Sequence, residues 1–127
     1  MNVCITSTGN DLSVPLDPRF GRCRFFLFVD TETGSCEAIE NPAQMAGGGA
    51  GTKAAQLVAA KNVSAVLTGN VGPNAFSALE AAGIQIYTGQ SGTGQEALER
   101  FKKGDLQSTT APSAERHAGM GGGRRQR

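Results

Sequence analysis

Three extended runs precede the first helical pattern in this chain, and that order restricts its fold more than any single motif does. Val3 to Thr8 (VCITST) is β-branched and apolar in the manner of a buried central strand, and Gly9-Asn10-Asp11 ends it with turn chemistry. Leu12 to Asp17 is an irregular excursion in which Pro15 and Pro18 set backbone angles. Arg24 to Asp30 (RFFLFVD) then reads as a strand of aromatic and aliphatic residues, Thr31 to Gly34 as a hairpin turn, and Ser35 to Glu40 (SCEAIE) as a half-exposed alternating strand. These three strands are expected to form an antiparallel meander.

Beyond Glu40 the periodicity changes. A helix is predicted from about Thr52 to Lys61, with Ala54, Leu57, Val58 and Lys61 on the inward stripe. Ser64 to Thr68 is a fourth strand, and Pro73 opens a second helix that carries Ala75, Phe76, Leu79 and Ala82 on one face and closes at Gly83. Ile84 to Thr88 is a fifth strand. A third helix runs from Gly94 to Lys103, with Thr93 and Glu96 at capping-box spacing, Leu98 and Phe101 facing inward and Gly104 as its stop. The order β-β-β-α-β-α-β-α is that of a ribonuclease-H-like mixed five-stranded sheet flanked by helices, with right-handed crossovers in its parallel part. At 127 residues there is room for one domain, placed at 1–107, and residues 108–127 read as a flexible Gly/Arg-rich tail.

Composition narrows the function. Cys4, Cys23 and Cys36 are odd in number and lack CxxC spacing, which argues against a disulfide framework or a zinc ribbon. No stretch approaches 18 apolar residues and the first residues lack a basic, apolar leader, so the expectation is a cytoplasmic protein without a membrane span. The net charge of +1 divides unevenly: Arg116, Arg124, Arg125 and Arg127 against Glu115 give residues 111–127 a charge of +3, leaving −2 on the body. With scattered bases and few aromatics, that body is no nucleic-acid footprint.

Where chemistry is concerned, the stretch Gly47 to Lys53 (GGGAGTK) stands out. Bare backbone followed by a helix start offers N–H donors and the positive end of a macrodipole to an anion. It is not a P-loop, because the order is Gly51-Thr52-Lys53 and a loop, not a strand, leads into it. If the first, third, fourth and fifth strands are parallel, their carboxyl ends share one sheet edge, and the second strand begins there with Phe20, Gly21, Arg22 and Cys23. Val3 to Thr8 holds no carboxylate for a two-metal nuclease, and His117 in the tail is the single histidine, so no nucleophile–histidine pair can form in the body. What the edge offers is backbone donors, Arg19, Arg22 and Lys53 as cations, and Cys23 as a soft donor whose pKa the two arginines should lower. That set suits binding of a bulky anion with soft atoms, such as a thiometalate or iron–sulfur-type cluster. Cys4 and Cys36 read as ordinary strand residues, and Arg19 and Arg22 have Asp11, Asp17 and Glu40 as alternative partners.

The run DPRFGRCRFFLFVD, the loop from Asn41-Pro42 to Gly51 and the turn GNVGPNAF together resemble the dinitrogenase iron–molybdenum cofactor biosynthesis family over about residues 1–107. That family includes NifX-type carriers, the C-terminal domain of NifB-type proteins and small stand-alone members of orange-protein type. The resemblance implies a ribonuclease-H-like fold without nuclease activity and non-enzymatic carriage or storage of a metal–sulfur cluster or its precursor, of molybdenum–copper or iron–molybdenum type. Carried over by position, it places the cluster against Phe20, Gly21, Arg22 and Cys23, against Gly48, Gly49, Ala50 and Gly51, and against Asn70, Val71 and Gly72. Cys23 and, in the tail, His117 are the candidate metal ligands, with Met120 beside the latter. The implied partners are the anionic cluster and a protein of cluster assembly, with the chain a monomer or weak dimer. Lacking a histidine in its body, the chain is most similar to the small stand-alone members. A second reading is a regulatory or interaction module that acts through its basic tail.

Overall fold

The computed structural model describes residues 1–44 and 49–112. Within them the chain forms β1 (Asn2–Ser7), β2 (Phe25–Asp30), β3 (Cys36–Glu40), α1 (Ala50–Ala60), β4 (Ala65–Leu67), α2 (Pro73–Ala81), β5 (Gln85–Tyr87) and α3 (Gly94–Lys102). One five-stranded sheet has the order β3-β2-β1-β4-β5. β2 is antiparallel to both β1 and β3, whereas β1, β4 and β5 run parallel. The antiparallel meander and the parallel pairing of β1, β4 and β5 are therefore as expected, and β1 is the central strand.

The alternation of β1 builds two cores. Cys4 points into a cluster with Phe20, Phe26, Val58, Val66, Phe76 and Leu79 under α1 and α2. Val3 and Ile5 point to the other face, with Leu27, Val29, Leu67 and Leu98 under α3. With both faces covered, β4 needs no polar alternation, and all three of its residues are buried. β3 at the sheet margin is largely exposed, and its Cys36 thiol is accessible.

Four details differ from the sequence reading. α1 starts at Ala50, two residues early, because Gly49 adopts φ 71°, a left-handed conformation that turns the chain into the helix without steric cost. Its buried stripe is Ala54, Ala55 and Val58, with Leu57 only partly covered. Ala82 is exposed, since it caps α2 beyond the last turn, and Ala78 packs in its place. Finally, the chain is still on the sheet past the boundary expected at 107. Leu106 packs against the α3-side core, Thr109 N donates to Ile86 O (2.6 Å), and Thr88 N donates to Thr109 Oγ1 (3.0 Å). These bonds satisfy outward-facing backbone groups on edge strand β5. Among the described residues, no helix is long and apolar enough to cross a membrane.

Candidate functional site

The parallel strands end on one sheet edge, where hydrogen bonds within the chain stitch the loops together. The segment after β1 folds back so that Asp17 N donates to Thr6 O (3.0 Å), while Thr6 Oγ1 donates to Asp17 O (2.6 Å) and lies 2.8 Å from Thr68 Oγ1. Asn70 N donates to Pro18 O (2.7 Å), and Phe20 N to Asn70 O (3.2 Å), which ties this segment to the β4–α2 loop. The buried Asp17 carboxylate accepts from Arg19 N (3.0 Å), Nε (3.2 Å) and Nη2 (3.2 Å). Of the alternative partners for Arg19, Asp17 is the one realised, and this guanidinium holds the loop.

Asn41 fastens the third loop. Its buried side chain donates through Nδ2 to Gly21 O (3.1 Å) and Cys23 O (2.9 Å) and accepts from Ala43 N (2.9 Å) through Oδ1. Gly21 is thereby pressed against α1. A Cβ at Gly21 would lie 2.9 Å from both Cα and N of Gly51, so only glycine fits.

This framework leaves a groove of about 210 Å³ lined by Gly21, the stretch Gly49 to Thr52 and the stretch Gly72 to Ala75. Two helix starts converge on it. The first helical bond of α1 runs from Lys53 N to Gly49 O (3.0 Å), and that of α2 from Phe76 N to Gly72 O (2.9 Å). The amides of Ala50, Gly51 and Thr52, and those of Asn74 and Ala75, precede these bonds and have no intrahelical acceptor. Both N-caps are glycine without a side-chain cap, and neither first turn holds an acidic residue. Lys53 sits exposed in the first turn of α1. Arg22, on the adjoining loop, is exposed and donates through Nη1 to Gln44 O (3.1 Å). The surface is one of uncompensated donors and positive charge, suited to an anion.

Of the residues singled out from sequence, Gly21, Gly49, Ala50, Gly51 and Gly72 come together as this groove. Asn70 is exposed beside it and contributes backbone ties. Phe20 and Val71 are core residues under α1 and α2. Gly48 and His117 lie outside the described residues.

Cys23 corrects the sequence reading. Its thiol is fully buried, 3.4 Å from the Phe20 carbonyl, and burial followed by the Asp17 charge pushes its pKa far above the ordinary thiol range. Arg19 and Asn41 act in the lowering direction but are outweighed, and Arg22 turns toward Gln44. Cys23 is thus a protonated core thiol in this conformation, as is Cys4, whose burial likewise raises its pKa.

Sequence reasoning missed Asn41, Thr52 and Asn74. Asn41 stands before Pro42, where it looks like ordinary loop punctuation, and only its burial reveals it as the bridge between two loops. Among the described residues, no group of three His, Cys, Asp or Glu side chains could hold a metal ion.

Proteins of similar sequence and fold bear on its meaning. The apo form of the orange protein from Desulfovibrio gigas superposes with a TM-score of 0.86 at 38% identity, covering 89% of this chain and 96% of that one. A Thermotoga protein solved by NMR and provisionally called NifB superposes with a TM-score of 0.77 at 40% identity, covering 89% and 97%. An uncharacterized protein of Methanocaldococcus jannaschii is 37% identical over 95 residues, which is 72% of this chain and 80% of the relative. The family model described as dinitrogenase iron-molybdenum cofactor matches residues 1–104. Given that span and these relatives, the chain belongs to the dinitrogenase iron-molybdenum cofactor family.

Proposed function

We propose that the groove between α1 and α2 carries an anionic metal–sulfur cluster or its precursor, of iron–molybdenum-cofactor-like or molybdenum–copper type, as cargo and without turnover. The observation that carries this reading is the convergence of two helix starts, both glycine-capped and free of acidic residues, on one cavity. Backbone amides there hydrogen-bond sulfide or oxide atoms on the cargo's surface, and Lys53 and Arg22 compensate its charge. Recognition by charge and amide donors requires no ligand set. Family membership and the likeness to a protein solved in its apo form support a bound cargo. The strand order with β2 reversed supports a ribonuclease-H-like assignment, and β1 (NVCITS) has none of the carboxylates a nuclease of that fold would need.

The test is an anaerobic titration of the full chain with tetrathiomolybdate, with and without copper, following charge-transfer bands and metal co-elution on a sizing column. Stoichiometric co-elution is the expected result. Absence of retention in every condition would sink the carrier reading.

A further inference from the structure

Backbone bonds at both ends of the β2–β3 pair fix the direction in which the groups of β3 point. Asp30 N donates to Ser35 O (2.9 Å) and Asn41 N to Arg24 O (2.9 Å), so in the alternating antiparallel pattern Ser35, Glu37, Ile39 and Asn41 bond inward to β2. The N–H and C=O groups of Cys36, Ala38 and Glu40 therefore point away from the sheet. β3 stands first in the strand order and is largely exposed, and among the described residues no strand pairs with its outer side. The β5 margin differs, because Thr109 N donates to Ile86 O there.

An open edge invites any extended chain, and charge narrows the choice. Between Arg24 and Lys53 the sequence holds Asp30, Glu32, Glu37 and Glu40 and no lysine or arginine. The Met1 amino group lies 4.0 Å from Asp30 and 3.6 Å from Glu32, and Lys61 Nζ lies 3.2 Å from Glu37, whereas Glu40 has no ion-pair partner among the described residues. A second copy of this strand would add like charges along the same edge, so self-pairing is opposed.

A cavity of about 270 Å³ opens beside the start of the edge, on the face that carries α1. Asn2, Phe28, Asp30 and Glu37 floor it, and Lys61 and Val63, at and beyond the end of α1, wall it. Lys61 Nζ, 5.6 Å from the centre of the Phe28 ring, shows the cavity's preference for a cation. Against that one charge stand two carboxylates and the carbonyl end of a helix with no basic residue in its last turn. The cavity lies at the amino ends of β1 and β4 and the glycine groove at their carboxyl ends, so occupants of the two do not compete.

The geometry points to the outer edge of β3 as a docking site for an extended cationic segment of a partner protein, added antiparallel as a further strand. Opposite residues of such a pair share a face. A basic residue opposite Glu40 meets the unpartnered carboxylate, an apolar one opposite Ile39 extends the partly buried apolar surface there, and a second basic residue opposite Glu37 reaches the cavity. Along the docked segment the order is basic, apolar, any, basic. None of this depends on the carrier reading.

The test uses the full chain, isotopically labelled for amide NMR, with the end-blocked peptide TKVTKT and its charge-reversed counterpart TEVTET. Before peptide is added, the amides of Cys36, Ala38 and Glu40 should exchange rapidly with solvent while those of Glu37 and Ile39 are protected. Protection of the outward amides as well would mean that a second copy or the chain's own remaining residues already fill the edge, with concentration dependence marking the former, and either overturns the proposal. TKVTKT should shift and protect the outward amides, bind roughly tenfold or more tightly than TEVTET, and lose that advantage near molar salt. Glu40→Gln should weaken it about threefold, as loss of an exposed pair does. Ala38→Pro, which removes an outward donor and no bond to β2, should abolish the protection. Equal affinity for the two peptides would overturn the cationic specificity, and shifts that leave Cys36, Ala38 and Glu40 unmoved would overturn the edge as the site.

Discussion

The start of α3 and the starts of α1 and α2 solve the same problem in opposite ways. At α3, Thr93 Oγ1 accepts from Glu96 N (3.1 Å), and the Glu96 carboxylate accepts from Thr93 N (2.9 Å), so side chains satisfy the helix end and neutralise its dipole. At α1 and α2 a glycine stands in the capping position and no carboxylate follows. A side-chain cap contributes about 1 kcal/mol, and two of the three described helices go without it. The difference accords with the proposed carrier reading: α3 is closed by its own residues, and the other two leave their first amides without a side-chain cap.

The sharpest way to break this contrast is to force the open pair apart. Gly21→Ala would thrust a Cβ to within 2.9 Å of the Gly51 backbone, where no flexible side chain can yield. It should cost about 1–3 kcal/mol by denaturant titration, as overpacking does, and abolish tetrathiomolybdate retention. Retention at the original level would show that the cargo does not sit on Gly21.

A milder intervention converts an open start into a closed one. Gly72 has φ −75° and ψ 171°, the extended geometry of an ordinary N-cap, so Gly72→Asp can cap α2 as Thr93 caps α3. Stability should rise by a few tenths of a kcal/mol, while anion affinity should fall by roughly tenfold or more, because the new carboxylate takes the amides and opposes the cargo's charge. Stability and binding move in opposite directions only if the open cap is functional. The reciprocal change, Thr93→Ala, should cost about 1 kcal/mol and leave anion affinity unchanged.

How much of this contrast was legible in the sequence depends on the range of the interactions. The α3 cap is local, Thr93 and Glu96 being three residues apart, and could be read directly. The glycine run and Pro73 likewise marked the two open starts, and the hydrophobic periods gave the order of elements. The pairing of Asn41 with Gly21 and Cys23, 20 and 18 residues away, leaves no local signature. Nor does the sum of burial and charge at Cys23, where nearby arginines in sequence implied a lowered pKa and three-dimensional packing reversed the sign. The same limit explains Thr109, a polar residue in a low-complexity stretch whose role exists only because the β5 edge passes beside it.

Cys23 supplies the smallest effect and the finest resolution of the boundary between groove and core. Its raised thiol pKa means that the folded state holds the proton more tightly than the unfolded chain does. The corresponding stability is fully present below the unfolded thiol pKa and is lost as pH rises through it toward the folded value. By pH 9, near that unfolded value, the loss should be about 0.4 kcal/mol for each buried thiol, Cys23 and Cys4, relative to neutral pH. Denaturant midpoints at pH 7 and pH 9, compared between the wild type and Cys23→Ala, measure it, and the variant should lose roughly half of the drop. Thiol labelling at neutral pH checks the same geometry by rate: Cys36 should react promptly, and Cys4 and Cys23 only on unfolding. Prompt labelling of Cys23 in the folded protein would instead place its sulfur within reach of the groove and restore it as a ligand for the cargo.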